Sequence, residues 1–271
     1  MARILIATHA YDRFEARSFL LTHLFDPWRA AGHEIVVHAG VRDVPTADVA
    51  IVHVDRTTVS DDYLEALRHI PIVVNGRARD LSKRVVSRRL VGAFDPYPGP
   101  VIVKTDANAG GVPEWHHATE ARRRGEPVLP SGRVLTGGYP IFDKLADVPL
   151  DLRLDPDLVV EQLTLERDPR GFAMRHWIFF GDRERCSRVV SPHRIVKGRD
   201  LIDRTLVEVP ERLREERARL GLDYGKLDFV MHDGEAILLD ANRTPTSPQN
   251  LSAMLRAGAE DLARGLDVFL K

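Results

Sequence analysis

The segment from Lys226 to Pro245 contains Asp228, Asp240 and Asn242 within an otherwise apolar hairpin around Asp233-Gly234. Carboxylate and amide oxygens of this kind suit Mg²⁺ and do not suit zinc or copper. The pairing register decides whether they act together. A two-residue Asp233-Gly234 turn sets Asp228 opposite Leu239, whereas a three-residue loop, Asp233-Gly234-Glu235, sets Asp228 opposite Asp240 with Asn242 on the same face. We expect the second register. It sends Phe229, Met231, Ile237 and Leu239 to the core and leaves Val230 and Leu238 beside the oxygen ligands.

Lys104 ends the apolar run Val101-Ile-Val-Lys just before the turn Asn108-Ala-Gly-Gly111, where an amine and free backbone N–H groups could meet phosphate. Lys83, on a preceding basic segment, offers a second amine. Glu161, Gln162 and Leu163 leave an apolar strand and can present backbone groups to an adenine edge, with Glu166 placed for ribose hydroxyls. Arg175 and Arg188, on the next two strands, can neutralise phosphate or acyl-phosphate charge. His9 closes the first strand, where it serves equally as a cleft residue or a plain loop residue. His116 and His117 are adjacent, so they point to different sides of a helix and read as a surface pair rather than a metal site. Cys186 reads as a passive strand thiol.

The elements that carry these residues follow from periodicity. Arg3–Thr8, Ile35–Val37, Val49–Val52 and Pro71–Val74 read as strands of a small parallel layer, with a helix opened by an Asp12-x-x-Glu15 capping box after the first. No glycine-rich dinucleotide turn follows the first strand, and no Walker A loop occurs. Beyond about residue 80 the pattern becomes antiparallel α+β. A helix spans Asp80–Val91, and the Lys104 strand is followed by a helix over Pro113–Arg124 and a Pro/Gly-rich loop to Tyr139. Three strands near 157–165, 173–181 and 184–191 come next, then a helix from Pro210 to Gly221. A final helix opens at Ser247-Pro248 and carries Leu251, Leu255, Leu262, Leu266 and Phe269 on one side.

The 271 residues are 44% hydrophobic and 29% charged, with 39 Lys+Arg against 40 Asp+Glu, so no global field favours nucleic acid or a membrane surface. One cysteine rules out an internal disulfide and a Cys cluster. The apolar stretch at the start is too short for a signal peptide, and we expect a cytoplasmic location.

Taken in order, these pieces resemble the ATP-grasp superfamily, the fold of glutathione synthetase, D-alanine–D-alanine ligase and the ribosomal-protein glutamate ligases. The resemblance covers nearly the whole chain. It implies a pre-ATP-grasp α/β domain over 1–79 and an ATP-grasp domain over 80–271, in α+β subdomains 80–155 and 156–271. It matches Lys83 and Lys104 to the phosphate-binding lysines, Glu161–Leu163 to the hinge and Glu166 to the ribose contact. Asp228, Asp240 and Asn242 match the Mg²⁺ triplet, with Asp240 where the family usually has Glu. The cofactors implied are ATP with Mg²⁺, or Mn²⁺ in its place. The activity implied is an ATP-dependent ligase that turns a carboxylate into an acyl phosphate for attack by an amine or similar nucleophile. A phosphotransferase and a binding module without turnover are the other readings. The partners expected are a small-molecule or peptide carboxylate and a nucleophile, not nucleic acid or membrane, and a homodimer is compatible.

Overall fold

The protein, seen in a computed structural model, is described for residues 1–12 and 14–271. A four-stranded parallel sheet comes first, in the order β2-β1-β3-β4: β1 (Arg3–Thr8), β2 (Glu34–Ala39), β3 (Val49–Val52) and β4 (Ile72–Val74). Ile4, Leu5 and Ile6 are fully buried, as a parallel strand covered on both faces requires. A three-stranded antiparallel sheet, β6-β5-β7, comprises β5 (Val101–Thr105), β6 (Ile141–Phe142) and β7 (Leu158–Gln162). The largest sheet is antiparallel and runs β11-β10-β9-β12-β13, with β8 (Glu166–Asp168) also paired to β9. Its other strands are β9 (Gly171–Phe180), β10 (Arg183–Ser191), β11 (Asp203–Leu206), β12 (Tyr224–His232) and β13 (Glu235–Asn242).

The helices are α1 (Phe25–Ala30), α2 (Asp61–Ala66), α3 (Lys83–Val86), α4 (Val112–Arg124), α5 (Leu150–Leu154), α6 (Glu211–Arg219) and α7 (Ala253–Ala263). One core joins the parallel sheet to the last helix: Ile4, Phe19 and Trp28 pack with Phe180, Tyr224, Leu262 and Leu266. The Trp28 indole donates to the Ala263 carbonyl at 2.8 Å, fixing α1 on α7. No helix among the described residues is long and apolar enough to cross a membrane.

Three helices differ from expectation, the first two because tertiary pairing claims their backbone. The helix expected from Asp12 is broken into 3₁₀ turns at Phe14–Ala16 and Leu20–Leu24 before α1. Phe19 bridges Thr246 and the Leu20 N–H donates to Pro245 O, which pulls this stretch out of helical geometry. The capping box also includes Arg13, which lies outside the described residues. The helix expected over Asp80–Val91 shrinks to Lys83–Val86, because Asp80 bridges Thr58 and Leu90 bridges Glu161. The last helix opens at Ala253 rather than Ser247, capped by the Ser252 hydroxyl, which accepts from the Leu255 N–H.

Candidate functional site

The hairpin β12–β13 brings Asp228 and Asp240 together as cross-strand partners, with Lys226 opposite Asn242 two residues along. The device is not the three-residue loop. Asp233 (φ 50°) and Gly234 (φ 81°) form a two-residue turn with positive φ at both positions, and His232 pairs Glu235. That turn carries Phe229 opposite Leu238. A β-bulge then inserts Leu239, so the register shifts by one and Asp228 meets Asp240. The observed register also moves three residues from their expected faces: Leu238, Leu239, and Ile237, which pairs Val230 and so shares its face. Leu238 packs into the core with Phe229, while Leu239 lines the cleft with Val230 and both aspartates.

The cleft lies between this sheet and β5–β7. Lys83, Lys104, Glu161, Gln162, Leu163, Asp228 and Asp240 line it together, over an apolar floor of Ile102, Met174, Val230 and Leu239. Tyr139 and Arg194–Val196 complete the wall. Lys104 is held by a buried ion pair with Glu161 at 2.8 Å, with side-chain exposures of 9% and 2%. Lys83 is buried and donates to Asp240 Oδ1 at 2.6 Å and to Asn108 Oδ1 at 2.5 Å. Burial works against its charge, but Asp240 outweighs it and raises the Lys83 pKa.

Asp228 is held by the His176 Nδ1 at 2.6 Å and by Lys226 at 2.9 Å. Burial alone would push its carboxyl up; Lys226 and His176 overcome this and hold it well below the usual carboxylate range. Two carboxylates thus face one cleft, and these hard oxygens fit Mg²⁺. Asn242 sits on the same face, with its amide oxygen accepting from the Thr244 N–H at 2.8 Å. Buried Arg243 anchors this end of β13 by donating to the carbonyls of Thr57, Ala78 and Arg79.

The structure does not bring Glu166, Arg175 and Arg188 into this cleft. His176 pairs Asp228, so Arg175, one residue earlier, points to the other face of the sheet. There Glu166 accepts from Arg175 Nε at 3.0 Å and Arg188 Nε at 2.7 Å, and Arg188 also donates to Asp168 at 2.9 Å. The Met231 N–H adds a further bond to Glu166 at 2.8 Å. Burial would raise the Glu166 pKa, but Arg175, the Met231 N–H and Arg188 lower it. At the end of β7, the Leu163 N–H is already donated to Pro100 O at 2.9 Å, and Arg89 holds the Gln162 side chain at 3.1 Å. The turn Asn108–Gly111 packs under the loop at 133–135, with the Leu135 N–H bonded to Gly110 O, and reaches the cleft only through Asn108.

The histidine pair also resolves differently. His116 is exposed beside Trp115, whereas His117 is buried and bonds Asp12 Oδ1 at 2.7 Å. His9, Asp12 and His117 offer ligand atoms within 4.8 Å of one another. The rings of His9 and His117 are stacked 3.8 Å apart and 5° from parallel. A metal ion lies in the plane of each imidazole it binds, so a parallel stack cannot direct both lone pairs at one ion. Cys186 is buried, and burial pushes its thiol up to about 11, as a passive thiol requires.

No family profile matches this sequence, and neither does any curated protein. Solved structures do match. D-alanine–D-alanine ligase from Bacillus anthracis superposes with a TM-score of 0.52 at 13% identity, over 100% of this chain and 96% of that one. Its complex with ATP gives 0.52 at 14% identity, with the same coverage. This chain has the ATP-grasp fold. The macrocyclase MdnC from Microcystis aeruginosa, bound with precursor peptide MdnA, matches with a TM-score of 0.50 at 11% identity over 98% of this chain and 99% of that one. Tyr139 and Arg194 line the cleft, and Lys226 and His176 hold Asp228; the sequence pattern singled out none of the four for these roles. Only Lys226 carried a signal, standing two residues before Asp228 and so on its face.

Proposed function

We propose that the chain is an ATP-dependent ligase that activates a small-molecule or peptide carboxylate as an acyl phosphate, which an amine or similar nucleophile then attacks. One observation carries this reading: Asp228 and Asp240 face the same cleft as Lys104, Lys83 and the β7 hinge. Nucleotide packs its base on Ile102, Met174, Val230 and Leu239, against the edge from Glu161 to Leu165. Because Leu163 N–H is committed to Pro100, the base edge is met by the neighbouring backbone groups of this stretch. Lys104, aimed by Glu161, and Lys83 meet phosphate oxygens as point charges.

Asp228 and Asp240, with Asn242, are the residues that hold Mg²⁺, which when bound neutralises phosphate charge. The chain's own work is positioning. Lys226 and His176 fix the Asp228 carboxylate, and Lys83 releases Asp240 when phosphate offers it a stronger partner. In this reading residues 1–79 serve the substrates and 80–271 the nucleotide. The test is a product assay with MgATP and a pooled metabolite extract. Free phosphate appearing one for one with a new amide or similar bond supports the ligase. A phosphorylated acceptor with no free phosphate overturns it in favour of a phosphotransferase.

A further inference from the structure

The strand at the outer edge of the parallel sheet is open along one side. β2 ends the order β2-β1-β3-β4, and no strand or isolated bridge among the described residues pairs with its free side. The Glu34 N–H donates to Ala2 O and the Gly40 N–H to Thr8 O, so in this parallel ladder Glu34, Val36 and His38 turn their backbone groups to β1. Ile35 and Val37 therefore aim their N–H and C=O groups outward. From Glu34 to Ala39 the strand carries no lysine, arginine, proline or bulge to block pairing, and Val37 is 40% exposed.

The other sheet edges are blunted. β4 has three residues and β6 has two. β7 is met by the segment at 89–91, whose Val91 N–H donates to Val160 O. β13 is flanked by α3 and α6. β11 opens on Asp203 and Arg204, and Asp203 is tied to Arg170 at 2.8 Å.

From this open edge and the residues it presents, we infer that a second copy of this chain docks there, β2 against β2, about a two-fold axis at Val36. Antiparallel pairing across that axis sets Val36 opposite itself, Ile35 opposite the second copy's Val37, and Glu34 opposite its His38. The backbone phase permits this register: Ile35 and Val37 form the hydrogen-bonded pairs, and Val36 forms the closer non-hydrogen-bonded pair. Charge selects it. The adjacent registers of the same phase oppose Val36 to Glu34 or to His38, and those beyond oppose Glu34 to Glu34 or His38 to His38. The axis at Val36 puts carboxylate beside imidazole and keeps apolar residues opposite apolar ones. Glu34 pairs with Arg3 at 3.2 Å, but its side chain is 60% exposed and has room for a second partner.

Both core layers continue across the axis. Ile35 packs against the core that holds Ile4 and Trp28, and Val36 against the one that holds Leu5 and Val52. Two four-stranded sheets become one of eight strands in a closed, isologous dimer. β2 does not line the nucleotide cleft, so the inference stands apart from the ligase reading.

Sedimentation velocity of the full chain through the micromolar range, with MgATP titrated into the same samples, tests it. The parent should run as two chains of 30.5 kDa each. Val37→Pro removes an outward N–H, which an edge strand tolerates, while Val37→Lys keeps that N–H and adds a charge to the edge. Each should weaken the dimer at least about tenfold and bind MgATP as the parent does. Val36→Cys reads the register: its two copies face each other within disulfide reach, so mild oxidation should link two chains. Val37→Cys, at a more exposed position but out of register with its own copy, should stay unlinked. A parent of single-chain mass, a dimer that survives both Val37→Pro and Val37→Lys, or linkage of Val37→Cys as ready as that of Val36→Cys overturns the inference. A dimer with the expected responses in protein that binds no MgATP keeps the interface and sinks the nucleotide reading.

Discussion

Substituting Lys104 separates what the Lys104–Glu161 pair does for the fold from what it does for nucleotide. The pair, Lys104 Nζ to Glu161 Oε2, is 2.8 Å long and its side chains are 9% and 2% exposed, and Glu161 Oε1 has no hydrogen-bond partner among the described residues. Lys104→Met therefore leaves a buried carboxylate without its counter-charge. Removing one partner of a buried pair costs about 3–5 kcal/mol, whereas replacing both by apolar residues of similar volume is close to neutral. Urea unfolding should show Lys104→Met less stable by about 3–5 kcal/mol, and Lys104→Met with Glu161→Met within about 1 kcal/mol of the parent. MgATP affinity should behave differently. Both variants lack the amine at phosphate, so both should lose about 1–3 kcal/mol in binding, and restored stability should not rescue it. The reasoning is refuted if the single variant unfolds within about 1 kcal/mol of the parent, which marks a solvated, weakly coupled pair. It is refuted equally if the double variant binds MgATP as tightly as the parent.

Two further outcomes follow from buried groups. His53 is fully buried with neither ring nitrogen hydrogen-bonded, and burial lowers its pKa to about 4. The unfolded ring takes a proton near pH 6.5 and the folded ring refuses it until about 4, so stability should fall as pH drops through that window. Between pH 7 and pH 4.5 the loss from this residue is about 2–3 kcal/mol, and His53→Leu should flatten that part of the urea-midpoint profile. Glu166→Gln should cost about 1–3 kcal/mol in unfolding through the Arg175 and Arg188 contacts while leaving MgATP affinity within about twofold of the parent. A larger loss of affinity would return Glu166 to the nucleotide side.

The sequence carried the composition of the cleft better than its geometry. Asp228, Asp240, Lys104 and the β7 edge were legible because strand-interior acids and a lysine closing an apolar strand break local preference. The cross-strand meeting of the aspartates was also legible, but its cause was not. The Asp-Gly turn takes its ordinary two-residue form, and a bulge at Leu239, which carries no glycine signal, restores the register. Glu166 was misplaced because a spacing of four residues after Gln162 does not reveal which sheet face β8 presents. His117 was misread because its burial depends on Asp12, 105 residues away. Lys83 was legible as an amine, but its reach to Asp240 depends on how a four-residue helix docks on β13.

The central claim is that MgATP binds in the cleft shared by Asp228, Asp240 and Lys104. Calorimetric titration of ATP, with Mg²⁺ and with excess chelator, into the parent chain and into Asp228→Asn with Asp240→Asn tests it directly. The account predicts saturable binding to the parent that weakens at least about tenfold when Mg²⁺ is removed, and a double variant whose weaker binding no longer responds to Mg²⁺. A parent chain, shown to be folded, that takes up no heat at millimolar MgATP contradicts it, as does a double variant with undiminished dependence on Mg²⁺.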